Sequence, residues 1–308
     1  LSAAGGTDGA AGVTIATEFG VDGAVGRTGL YALRNLLSGG TVILAGMGNS
    51  LTDAVYVQTL DAFCMSETCI GIFSGGPAGT SPATAAANLA ANNGFTQFTI
   101  PVLGEPQFVD PNSNLAGLEN PCGAAAGLVS SLTPWTSPLN KPKIGIVATE
   151  WSIGQFPDET VLQSNNIGYF KFLGGQWVFF GKTMGNGAPI EDTRMLNYIA
   201  PVIEAIGNTF VGQSQPAVVP NSVMNLYASD IKSFLRPMAA FDSTGQPTGN
   251  ANPRITSYSV DLSPNTPTTI TQHTLLASIA VQTLSAIWYV LNIIQAGNSV
   301  QVQYQPAA

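Results

Sequence analysis

The sequence predicts an α/β fold, α+β in its details: mixed β-sheets flanked by helices, closed by a C-terminal strand available for pairing with another molecule. Three observations lead there. Residues 41–73 read strand, helix, strand. Long amphipathic helices are expected from Ile190 and over 221–238. The chain then ends in β-rich segments, the last of which finds no partner inside the chain.

The elements follow in order. Residues 1–12 are a Gly/Ala-rich entry with neither the basic nor the apolar part of a signal peptide, and no initiator Met. In "GLYALRNLLSGG" (29–40), Leu30, Leu33 and Leu37 fall at helical spacing, and Gly39-Gly40 supplies a stop. "TVILAG" (41–46) is a buried strand by its β-branched run. Leu51, Val55, Leu60 and Phe63 then mark one face of a helix, and "CIGIF" (69–73) is a second apolar strand. Strands joined through a helix pair in parallel. Residues 74–94 are a loop and an Ala-rich helix. "FTQFTIPVL" alternates as a strand, and "GEPQFVDPNSNLAGLENP" is turn-rich. "CGAAAGLVSSLT" is a helix whose small residues admit a close neighbour. Residues 134–146 are extended and punctuated by Pro, and 150–168 hold a loop and a weak helix.

The second half is more regular. "QWVFFGKTM" (176–184) is a strand. Met195, Ile199, Val202, Ile206 and Phe210 share one face of the next helix, and "QPAVVP" is a short edge strand. In the helix over 221–238, Val223, Leu226, Ile231, Phe234, Leu235 and Met238 are expected inward. A loop and the strand "ITSYSVDL" follow. The stretch from His273 to Gly297 is long and uncharged enough to suggest a membrane helix. Gln282, Asn292 and Gln295 interrupt it, however, and no Lys or Arg flanks it. It reads instead as two strands: "LASIAV", with Ile279 and Val281 on one face, and "IWYVLNII", buried on both. The tail sets Val300, Val302 and Tyr304 against glutamines, an edge strand that another molecule can complete by β-augmentation. A frayed terminus is the alternative. The expected division is 1–172, 173–297 and a linking arm, 298–308.

Only 9% of the 308 residues are charged, against roughly 25% in ordinary soluble domains, and the net charge is -8. A nearly neutral skin repels its own copies weakly, which favours assembly; an acidic extracellular enzyme can share this composition. Ten scattered Lys and Arg argue against nucleic acid. Cys64, Cys69 and Cys122 contain no CxxC pair, so they are buried thiols or include one disulfide. Gly46-x-Gly48 sits where a dinucleotide fingerprint would, but Leu51 occupies the third glycine position. The single His273 has no GxSxG elbow to serve. Glu191-Asp192 and Asp158-Glu159 read as helix N-terminal charges. No catalytic residue, cofactor or metal site is expected.

The order of motifs resembles the tail sheath proteins of contractile phages and related contractile injection systems. "LSAAGGTDGA" is similar to the family's Gly-Gly-x-Asp-Gly opening, and "TVILAG" with "AVYVQTLDAFCMSETCIGIF" to its first α/β unit. "GLVSSLTPWTSPLNKPKIGI" is similar to a short helix leading to Trp and Ser-Pro-x-Asn. "LQSNNIGYFKFLGGQWVFFGKTM" resembles a stretch ending Trp-Gly-x-Arg-Thr, with Phe179-Phe180-Gly181-Lys182-Thr183 in its place. "EDTRMLNYIAPVIEAI" and "NLYASDIKSFLRPM" resemble the two following helices, and "NTPTTITQHTLLASIAVQTLSAIWYVLNIIQ" the closing strands. The N-terminal linking arm of many sheaths is expected to be absent or very short.

This resemblance implies a structural role without catalysis. Sheath subunits form six-fold rings or helical strands around an inner tube and contract to drive it through a host envelope. The implied partners are further copies of the chain, the tail tube protein, and baseplate and tail terminator proteins. Direct contact with nucleic acid and membrane insertion are not implied. The implied location is the virion tail, after assembly in the host cytoplasm. Val300, Val302 and Tyr304 would link subunits. The resemblance suggests the 221–238 helix as the tube-facing element, where Lys232 and Arg236 lie four apart. A capsid or surface-layer protein and an acidic secreted hydrolase are the alternatives; the hydrolase requires a cleft of convergent polar groups.

Overall fold

The computed structural model describes residues 17–288, apart from 18, 24, 35, 37–40, 44–53, 93–95, 152–157 and 217. Its centre is a parallel sheet in the order β1 (Thr41–Ile43), β2 (Ile70–Ser74) and β3 (Thr99–Val102). Thr41 lies beside Ile70, and Gly71 beside Thr99. Every residue of β2 and β3 is buried. The alternation expected in "FTQFTIPVL" therefore gives way to burial on both faces, as in parallel sheets covered by helices. Helix α1 (Ala54–Ser66) covers one face with Val57, Leu60, Phe63 and Cys64, which join Phe73 and Leu103 in one core. A Cβ at Gly71 would lie 2.8 Å from the Leu60 side chain, so this glycine sets how closely α1 approaches. Helix α2 (Pro82–Ala91) adds Ala85 and Leu89, capped by the Ser81 hydroxyl. Helix α3 (Pro121–Ser131) covers the other face, where Ala124, Ala125, Leu128 and Val129 meet Ile70, Ile72, Ile100 and Val102.

The turn-rich segment expected after β3 forms a hairpin. Strands β4 (Pro106–Val109) and β5 (Ala116–Leu118) pair antiparallel around a turn in which Asn114 donates to the Asp110 carbonyl. The extended region adds β6 (Lys141–Pro142) and β7 (Ile146–Thr149); β7 joins β4. Past α4 (Glu159–Ser164), strands β8 (Phe170–Leu173) and β9 (Gln176–Phe179) form a second hairpin, with β6 on the far side of β9. β8 was not foreseen as a strand, and the division expected at 172/173 falls within it, just before the turn at Gly174-Gly175.

Helices α5 (Ile190–Asn208) and α6 (Ser222–Leu235), a 3-10 turn (Arg236–Met238), β10 (Ile255–Asp261) and β11 (Ser278–Thr283) enclose a third core. Met195 and Ile199 of α5 meet Ile231, Leu235 and Met238 there. Asn197 fastens α5 to the central sheet, its side-chain amide donating to the Cys69 carbonyl at 3.1 Å. A short capped helix, α7 (Pro267–Thr271), precedes β11.

Several expectations fail locally. Leu226 is 57% exposed, because Met224, Ala228, Ile231 and Leu235 form the inward stripe of α6 instead. The described residues of 215–220 form no strand. The helix over 29–40 is a 3-10 turn, Gly29–Leu33, with Leu30 buried and Leu33 exposed; Leu37, Gly39 and Gly40 lie outside the described residues. Residues 284–288 are not strand and Ile287 is exposed, so the double-sided burial expected of "IWYVLNII" fails there; 289–294 lie outside the described residues.

Candidate functional site

The described residues contain no group of three His, Cys, Asp or Glu suited to a metal. His273 is exposed just beyond α7, with φ 56°. It borders an open cleft of about 710 Å³ between the end of α5, α6 and α7, lined by Phe210, Val211, Val223, Tyr227 and Ile270. None of the cleft's described lining residues is a carboxylate that could orient the imidazole. Gly46 and Gly48 lie outside the described residues. No helix among the described residues is long and apolar enough to cross a membrane.

The three cysteines are free and buried. Cys64 and Cys69 face each other where α1 turns into β2. The contact between the two sulfurs and burial both push the Cys64 thiol upward. Burial pushes Cys122 up to about 12.

The sheet of β10 and β11 carries the geometry of a docking edge. Its strands pair antiparallel from Ile255 opposite Thr283 to Asp261 opposite Ser278. One face rests on the third core, which Ile279 and Val281 approach from β11, as the alternating pattern predicts. The far edge of β10 is partly covered where the Ala240 N–H donates to Ile255 O at 3.0 Å and the Phe241 N–H to Thr256 O at 2.9 Å. Among the described residues, nothing pairs with the far edge of β11. Val300, Val302 and Tyr304 lie outside the described residues.

Lys232 lies in the last turn of α6 and is half-buried; Arg236 begins the 3-10 turn and is exposed. Arg236 lies near Asp242, whose carboxyl is held below its usual range mainly by the Thr244 hydroxyl and by the N–H groups of Thr244 and Gln246, with Arg236 adding least. Exposed Val211, Val218 and Leu226 follow the α5–α6 connection into α6. Sequence reasoning placed Leu226 inside and so missed its place on this surface. The three-to-four spacing through Met224 and Ala228 was the available signal.

The most unusual electrostatic feature lies at the start of α5. Glu191 is only 3% exposed, and neither carboxylate oxygen has a well-formed hydrogen bond. Burial raises its pKa; its own backbone N–H, then Ser137 and Trp288, oppose that rise. Arg194, one turn on, is committed elsewhere, donating to Leu132 O and Thr133 O at 2.8 and 3.1 Å.

No protein-family model and no curated protein matches the chain. Solved structures do. The PVC sheath complex of an extracellular contractile injection system, contracted, aligns with TM-score 0.59 at 15% identity over 80% of this chain and 68% of that one. The contracted helical sheath of the anti-feeding prophage gives 0.57 at 12%, over 79% and 66%. A sheath tail protein from Desulfitobacterium hafniense gives 0.51 at 11%, over 86% and 62%. The chain thus spans about two thirds of the length of these proteins and has the fold of contractile sheath proteins.

Proposed function

We propose that this chain is a structural subunit of a contractile sheath, which polymerises around an inner tube and does no catalysis. The shared fold carries this reading, and the β11 edge, unpaired among the described residues, supplies a physical means of polymerising. Negative-stain imaging of the purified chain tests it. Striated hollow cylinders are expected; closed spheres, flat sheets or monodisperse particles count against it.

In this reading the strand Val300–Tyr304 of one copy adds to β11 of a neighbour. β11 is six residues long, and only sixteen separate its last residue from Val300. A truncation lacking 298–308 should stay folded and form no cylinders. The α6 surface bearing Lys232 and Arg236 faces the tube protein, because contacts that must hold and later release suit screened charges better than deep apolar burial. Lys232→Glu with Arg236→Glu should weaken assembly on tubes while leaving the chain's own melting unchanged. Stacked six-fold rings, baseplate and terminator contacts, and a place in a phage virion assembled in host cytoplasm belong to the same proposal.

A further inference from the structure

Trp288 follows β11 by five residues and is the last residue described. Its indole Nε1 is buried, and Lys182 Nζ lies 4.7 Å from the ring centroid. An ammonium over an indole face is attracted by the ring quadrupole. Glu191 faces both this indole and the Ser137 hydroxyl, and the side-chain oxygens of Glu191 and Ser137 are buried without a well-formed partner. These groups come from separate segments. The Ile190 N–H donates to Lys182 O at 3.1 Å, which fixes Lys182 to the start of α5 beside Glu191. Ser137 follows Trp135, whose ring meets Arg254 at 4.2 Å and packs edge-on against Tyr198.

The chemistry of the three orphaned groups is complementary. A carboxylate only accepts; an indole N–H only donates; a hydroxyl does both. Well-aligned bonds among them would make a satisfied buried network, whereas the present geometry leaves each partly unmet. Contacts of this kind locate a side chain while letting it leave at small cost.

We propose that Lys182, Glu191 and Ser137 form a reversible latch for Trp288, which fixes where the chain beyond it leaves the body. Its consequence for subunit linkage, that the latch aims the linking strand, rests on the sheath reading; the latch itself does not.

The test uses the full-length unassembled chain, so a failure to polymerise leaves it intact. The Trp288 indole N–H signal is assigned by its loss in Trp288→Phe. Glu191→Met removes the acceptor and keeps the volume. The remaining charges near the site, Asp192 and Arg194 on α5 and Lys182 against the ring, are unchanged. Exchange of the Trp288 N–H with solvent should speed at least tenfold while the melting temperature holds or rises; a merely structural role would lower it. Lys182→Met should shift the same signal, and it keeps the test open if Glu191→Met fails to fold. Wild-type shift and exchange in the folded variants would overturn the latch.

Discussion

The molecule contains two sheets of opposite character. In the central sheet, β2 and β3 are buried along their whole length, between α1 on one face and α3 on the other. In the sheet of β10 and β11, β11 alternates exposed and half-buried residues, one face is open, and its outer edge pairs with nothing among the described residues. The faces of the first sheet are covered by helices of its own chain. The second has a hydrophobic anchor and a row of unspent backbone donors and acceptors, which suits an element meant to be completed from outside.

The sharpest way to break this comparison is at the open edge. Neighbouring N–H groups in a strand point to opposite sides. Of Ala280→Pro and Val281→Pro, one should abolish cylinders with little change in monomer melting, and the other should lower the melt by breaking the hairpin. Electron microscopy with calorimetry reads both, and normal assembly by the variant with the intact melt would sink the edge model. Next in size, Gly181→Ala places a Cβ 2.5 Å from the buried Phe179 ring and should cost about 2–3 kcal/mol in denaturant unfolding. Asn197→Ala strands the Cys69 carbonyl where α5 meets the central sheet and should cost about 1–3 kcal/mol.

Smaller effects sharpen the picture. Burial raises the folded pKa of Glu191, so its protonated form stabilises the chain below the ordinary carboxylate range, and that contribution fades as pH rises through the raised value. Glu191→Met should therefore melt higher than the parent at pH 7, by about 1 kcal/mol, with the advantage shrinking towards pH 4. With Cys122 at about 12, roughly one thiol in ten thousand is ionised at pH 8. Alkylation of the native protein should then track global unfolding, which mass spectrometry of labelled peptides can follow.

Much of the architecture was legible. The β-branched and apolar runs at 41–43 and 70–73 and the helix between them gave a parallel unit, because full burial leaves an unbroken apolar pattern. Ile279 and Val281 gave the half-buried face of β11 by simple alternation. The β4–β5 hairpin escaped because Pro, Gly and Asn dominate its letters and β5 is wholly exposed. "QPAVVP" misled because its apolar residues turn outward.

The sequence by itself determined the parallel unit of β1 and β2, the two long helices α5 and α6 and the half-buried face of β11, since periodicity records burial directly. It also determined the low charge, which is composition alone. Only the tertiary structure decided that the edge of β10 is partly covered while that of β11 has no partner among the described residues. It alone brought Ser137, Lys182, Glu191 and Trp288 together, because contacts between residues up to 106 apart in the chain leave no local pattern to read.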